Sequence, residues 1–163
     1  MADSKNVEIA TKLNDARTEL MVFFDGLNEE EWETAVYHEE TTWTIADILR
    51  HLVDAERGMT SMIMQWQQGK DPVPPDFDLT RWNNRVVQKA AEKTPKELIA
   101  EFRQNRINLL SFVDTLHEED WDKRGRHGSL RIMSIEEVCH LIADHEMNHL
   151  RVMRETVEGG QQA

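Results

Sequence analysis

The sequence predicts an all-α chain folded as a four-helix bundle, on three observations. Alternating β-branched runs bounded by turns are nearly absent. Long stretches instead repeat apolar residues at the 3.6-residue helical period. The connections between them are modest, as in bundles whose consecutive helices pack together. A length of 163 residues with 39% hydrophobic content suits one domain spanning 1–163, large enough to bury its own core.

The first pattern runs from about Val7 to Leu27, with Ile9, Leu13, Ala16 and Leu20 on one face. The second begins at Thr44, whose hydroxyl with Asp47 three residues on makes a capping box. It continues through Ile45, Ile48, Leu52 and Ile63 to Trp66, then stops at Gly69 ahead of Pro72, Pro74 and Pro75. That proline segment reads as a long loop. The third pattern opens near Leu79 and is broken at Thr94-Pro95-Lys96-Glu97, where an N-cap threonine, a first-turn proline and a third-position glutamate restart a helix that runs to about Leu116. The fourth starts at the capping box Ser134-Ile135-Glu136-Glu137 and runs to about Glu158, with a flexible tail expected from Gly159. A weak internal repeat matches Phe23-Phe24-Asp25 through Trp32 with Phe112-Val113-Asp114 through Trp121, at an offset of 89 (112 − 23). Two helical hairpins related by a pseudo-twofold axis would produce it.

Composition narrows the function. A net charge of −12 argues against nucleic acid, which requires a basic patch. No apolar run approaches the roughly 20 residues that span a bilayer. The N-terminal residues lack the apolar segment of a secretion signal, and Cys139, the single cysteine, allows no internal disulfide. A cytoplasmic location is the expectation.

The chemistry concentrates in His145-Glu146-Met147-Asn148-His149. Histidines four apart stand about 40° from each other on a helix, one turn apart, so both rings can converge on one transition-metal ion. They share a face with Ile135, Val138, Ile142 and Val152, which is the core face. From spacing alone the pair reads equally well as metal ligands or as hydrogen-bonded core residues. Of the other five histidines, His38, His117 and His127 fall in loops or at their edges, and His140 lies half a turn away from His149. His51, on the second helix, is the candidate third ligand, with Ala55 and Gly58 leaving space above it. In a simple up-and-down bundle the second and fourth helices run parallel, and the distances of His51 and of the pair from their respective caps then differ by roughly 9 Å. A stagger or tilt must absorb that difference.

Two better-known readings fail. The His-Glu-x-x-His string matches zinc proteases, but Val152 and Glu155 stand where the longer protease motif requires glycine and histidine, and no sheet is available to bind a peptide. Glu137-x-x-His140 and Glu146-x-x-His149 match the ferritin-like di-iron signature, yet that site needs the two motifs on different helices.

The whole pattern resembles the DinB/YfiT-like superfamily of metal-dependent enzymes. The resemblance rests on the Trp43-Thr44 start of the second helix, His51-Leu52-Val53-Asp54-Ala55-Glu56, Arg81-Trp82-Asn83, Gly128 and the closing His145 and His149. It implies a mirror variant of the up-and-down four-helix bundle, often dimeric, with zinc or nickel on His51, His145 and His149. Many members have histidine before the last ligand, where this chain has Asn148. The resemblance also implies transfer of a low-molecular-weight thiol to an electrophilic small molecule. A metal-dependent hydrolase is the alternative, and a non-catalytic bundle tied by its metal is a third. Three neutral imidazoles leave the charge of a divalent ion uncompensated, which suits acidifying either water or a thiol. Glu146 is the nearest candidate general base, about 100° round the helix from His145, although that position favours a salt bridge or a contact supporting a ligand.

Overall fold

The computed structural model describes residues 4–38 and 41–161, and 70% of the described residues are helical. The elements are α1 (Ser4–Asp25), β1 (Ala35–His38), β2 (Thr42–Thr44), α2 (Ile45–Gln67), α3 (Leu79–Lys89), α4 (Pro95–Asp114), β3 (Arg124–Arg126), β4 (Ile132–Ser134) and α5 (Ile135–Gln161), with single 3-10 turns at Glu31–Glu33 and Glu118–Asp120. The long helices α1, α2, α4 and α5 form a four-helix bundle. Both expected capping boxes form: Asp47 N–H donates to Thr44 Oγ1 at 3.1 Å, and Glu137 N–H donates to Ser134 Oγ at 3.1 Å.

Three features depart from the sequence reading, whereas the expected break at Thr94 does separate α3 from α4. Two short antiparallel hairpins, β1–β2 and β3–β4, precede α2 and α5. With strands of three or four residues they are too short to leave an alternating signal. The expected tail is helical as far as Gln161, because Gly159 and Gly160 do not take the left-handed φ with which glycine ends a helix.

The third departure is helix direction. Asn6 on α1 bonds Leu116 just past α4, and Arg17 bonds Phe102, so α1 and α4 are antiparallel. Lys5 pairs with Glu136 and Arg17 with Glu146, so α1 and α5 are parallel. Trp66, at the end of α2, lies against Gly125, just before α5, while Tyr37, before α2, reaches His149 late in α5. Thus α2 and α5 are antiparallel, not parallel. The cause is α3, which runs back along α2 with Trp82 on Asp54, after which Arg50 holds the carbonyls of Ala90, Ala91 and Lys93. The chain is returned to the start of α2 before α4 begins, and α4 then runs parallel to α2. Counted from the end where α2 stops and α5 starts, His51 is 16 residues in (67 − 51) and Met147 is 13 (147 − 134), so the register difference shrinks to about 4.5 Å.

The repeat is deeper than its sequence signal. Each half is a helix, a 3-10 turn, a hairpin and a capped helix. The halves pack so that α1 on α5 mirrors α4 on α2. Each hairpin covers one end of the bundle. At the second, Gly125 lies against the buried Trp66 indole, and a Cβ there would collide with the ring. Gly125→Ala is therefore expected to destabilise the fold by about 1–3 kcal/mol, read as a lower urea midpoint with unchanged slope. An unchanged midpoint would show that the hairpin moves aside freely.

Candidate metal centre

The side chains of His51 from α2 and of His145 and His149 from α5 meet between these antiparallel helices. His145 Nε2 lies 3.1 Å from His51 Nε2 and 3.0 Å from His149 Nε2. One ring nitrogen of each of the three lies within 4.8 Å of the others, and among the described residues no further histidine, cysteine or carboxylate joins the group. Burial lowers the basicity of all three rings. It takes His145 down to about 4, with the neighbouring His127 adding to the effect, and His149 down to about 3, with His145 adding. His51 is lowered well below its ordinary value by burial first and then by the other two rings, with the Asn83 side chain pulling the other way. The rings are thus neutral across the physiological range.

Their arrangement fits a metal ion. A single proton on His145 Nε2 serves only one of its two nitrogen neighbours, so hydrogen bonding alone leaves buried lone pairs facing each other. Three nitrogens about 2.0–2.1 Å from a zinc ion at tetrahedral angles stand roughly 3.3 Å apart, close to the spacings here. Supporting contacts come from the first hairpin, which composition did not single out. Tyr37 Oη is 2.9 Å from His149 Nδ1, and burial raises the phenol's pKa, so the hydroxyl stays neutral. Trp43 packs on His51 with ring centroids 5.2 Å apart.

A cavity of about 430 Å³ opens onto His51 and His145. Ala55 and Gly58 line it, as the small residues above His51 led us to expect, together with Met59, the proline segment, Trp82 and Asn83 of α3, and His127. His127 was set aside as a loop residue, but the second hairpin carries it to the cavity wall. Sequence distance hid it, since only the hairpin fold brings residue 127 beside α3. Cys139 is buried, which pushes its thiol up to about 12 and leaves it unsuited to nucleophilic work.

Glu146 is elsewhere. It is 2% exposed, and both its oxygens are held by Arg106, with Nη2–Oε2 at 2.6 Å, while Arg17 Nε donates to Oε1 at 3.1 Å. Glu56 completes the cluster, accepting from Arg17 Nη2 at 2.8 Å and from Arg106 Nε at 2.6 Å. A carboxylate held by two guanidinium groups on the bundle axis is an ion-pair partner. The general-base expectation has no geometry behind it, whereas the salt-bridge expectation describes what Glu146 does. Arg106, on α4, serves the same cluster. Asp54 accepts from Trp82 Nε1 at 2.9 Å and from Arg57 at 3.2 Å, which braces α3 against α2.

Known structures share this architecture. The chain superposes on YfiT from Bacillus subtilis, described as a probable metal-dependent hydrolase with an unusual four-helix bundle topology, with a TM-score of 0.80 at 14% identity over 99% of this chain and 90% of that one. It is similar to an uncharacterised protein from Escherichia coli UTI89 (TM-score 0.74, 11% identity, 98% and 96% covered). It is also similar to the colibactin self-resistance protein ClbS, solved in complex with dsDNA (TM-score 0.70, 12% identity, 96% and 95% covered). A sequence search of curated proteins gave no match. At these identities the likeness establishes the fold. The family rests on the sequence itself: the model of the DinB superfamily matches residues 12–153, from the first helix to beyond His149, and the chain belongs to that superfamily.

Proposed function

We propose that this protein is a small metal-dependent hydrolase acting on an organic small molecule, with a divalent transition metal, zinc or nickel, held by His51, His145 and His149. The carrying observation is the convergence of three neutral imidazoles, with Nε2 spacings of 3.0 and 3.1 Å, two of which, His51 and His145, line a cavity large enough for a substrate. When bound, such an ion with an open position acidifies water towards neutral pH. The chain's own residues do the rest. His149 is oriented by Tyr37, His51 is packed by Trp43, and the cavity walls exclude bulk water from one side. The absence of a fourth ligand among the described residues favours a catalytic over a purely structural ion. The likeness to a probable metal-dependent hydrolase agrees.

Hydrolysis takes precedence over thiol transfer because, among the described residues, no lysine or arginine lines the cavity to receive the carboxylates that common low-molecular-weight thiols carry. The charge of −12 keeps nucleic acid outside this reading, and no described helix is long and apolar enough to cross a membrane. The test is metal content by plasma mass spectrometry on tag-free protein, beside His51→Ala and His149→Ala. Near-stoichiometric zinc or nickel in the wild type, lost in both variants, is expected. A folded wild type that is metal-free and takes up neither ion when it is added would overturn the proposal. Ester and amide turnover by loaded protein, with and without added thiol, then separates hydrolysis from transfer.

A further inference from the structure

The cavity's chemistry narrows the substrate beyond the reaction class, on the basis of the metal-site reading above. At about 30 Å³ per water, a volume of about 430 Å³ holds roughly fourteen waters, or a compact one- or two-ring molecule. Its walls are apolar: Met59, Met62, Val73 and Leu141, with Phe77 and Trp82 at the mouth, their ring centroids 5.7 Å apart. Among the described residues the lining has a single carboxylate, Asp54, which is already engaged by Trp82 and Arg57. Arg131, whose charge is felt at His127, lies outside the lining.

The internal repeat explains this asymmetry. Across the hairpins the offset is 90, because Thr44 corresponds to Ser134 (134 − 44). The same offset pairs His51 with Leu141, His145 with Ala55, and His149 with Met59. The apolar counterparts of the three histidines are therefore all in the cavity wall. The three histidines draw on both repeats, and their pseudo-symmetric counterparts, also from both, form the recognition face.

Two residues set specificity. Gly58 sits in the interior of α2, where glycine costs about 0.5–1 kcal/mol relative to alanine, yet a Cβ there would meet nothing within 4 Å. Packing does not require this glycine; it leaves the space open. His127 supplies a directed polar contact. Its Nδ1 accepts the Ser129 backbone N–H at 3.0 Å, so the neutral ring carries its proton on Nε2 as a donor. We propose that the substrate is an uncharged, compact aromatic or alkyl compound bearing a carbonyl-type oxygen, with its apolar body against Gly58, Met59 and Trp82 and its oxygen accepting the Nε2–H of His127.

The test uses 2-acetonaphthone, a neutral ketone, and 2-naphthoate, which has the same ring and number of heavy atoms but carries a charge. Both are titrated by NMR into chelator-treated and metal-loaded full-length protein. In the chelator-treated protein the ketone is expected to bind at least tenfold more tightly than the carboxylate. Gly58→Leu should weaken the ketone at least tenfold while the melting temperature holds or rises. His127→Ala should weaken the ketone several-fold without changing the binding of naphthalene. Equal or tighter binding of naphthoate to chelator-treated protein, or an unchanged ketone affinity in Gly58→Leu, would overturn the proposal. Because this readout needs no metal, a protein that takes up neither zinc nor nickel but still binds the ketone through Gly58 would refute the metal reading and leave this proposal standing.

Discussion

Arg106→Met is expected to lower the unfolding free energy by about 3–5 kcal/mol, the usual effect of stranding a buried charge. The four long helices each place one charged residue in a central layer: Arg17 on α1, Glu56 on α2, Arg106 on α4 and Glu146 on α5, none more than 8% exposed. Apolar clusters lie on either side, one containing Ile9, Ile63 and Val138, the other Leu20, Leu49 and Met153. The layer is neutral as built, with two guanidinium groups and two carboxylates. Removing Arg106 leaves Glu56 and Glu146 sharing Arg17 alone. The pseudo-twofold sharpens the expectation, since Arg17 and Arg106 are 89 apart (106 − 17), and each donates to the carbonyl of the other's neighbour, Phe102 or Leu13, themselves 89 apart (102 − 13). Arg17→Met should therefore cost about the same as Arg106→Met. It loses, in addition, the stacking of its guanidinium 3.4 Å over the Phe102 ring. Adding Glu146→Gln to Arg106→Met restores charge balance and should recover part of the loss, a non-additivity typical of one connected network. Urea denaturation of the four proteins checks this. A single substitution costing under about 1 kcal/mol would show that water or relaxation neutralises the layer.

Much of this was legible in sequence, and the parts that were not share a cause. Helix positions follow from local rules, namely the apolar period, Thr44 and Ser134 as caps, and Pro95 in a first turn, and these hold. The histidine cluster was legible because His145 and His149 share a face and the family resemblance pointed to His51, and the three rings do meet. Helix direction was not, because it depends on whether residues 79–114 form one helix or two, and the break at Thr94 does not say which way α3 runs. The central layer escaped notice for a similar reason. Arg17 lies among the polar residues of α1, and its burial depends on three partners at least 39 residues away. Tyr37 and His127 sit on strands or turns too short to announce themselves. Helix direction, the central layer and the roles of Tyr37 and His127 were missed because each rests on long-range contacts of residues whose local sequence is unremarkable.

Tyr37→Phe is expected to weaken metal binding by about 10–100-fold while leaving the fold intact, the usual loss when the partner of a ligating histidine is removed. His149 presents Nε2 to the other two rings, at 3.0 Å from His145 Nε2. To offer a lone pair there, the neutral ring must carry its proton on Nδ1, and Tyr37 Oη at 2.9 Å is the acceptor that holds it. The phenol stays protonated because burial raises its pKa, with Arg151 pulling the other way, so the contact is a neutral hydrogen bond that fixes tautomer and ring angle without adding charge. Removing the hydroxyl keeps the ring and its edge-on packing against His149, with centroids 5.8 Å apart, so stability should change little. The same substitution frees His149 to take the other tautomer, with its proton facing His145. The loss should therefore appear in the affinity for zinc, measured by chelator competition, while the melting temperature of metal-free protein stays within a few degrees. An unchanged zinc affinity would mean that packing alone orients His149. A large fall in metal-free stability would instead make Tyr37 a strut of the first hairpin, and the orientation of the third ligand would then rest on β1 as a whole.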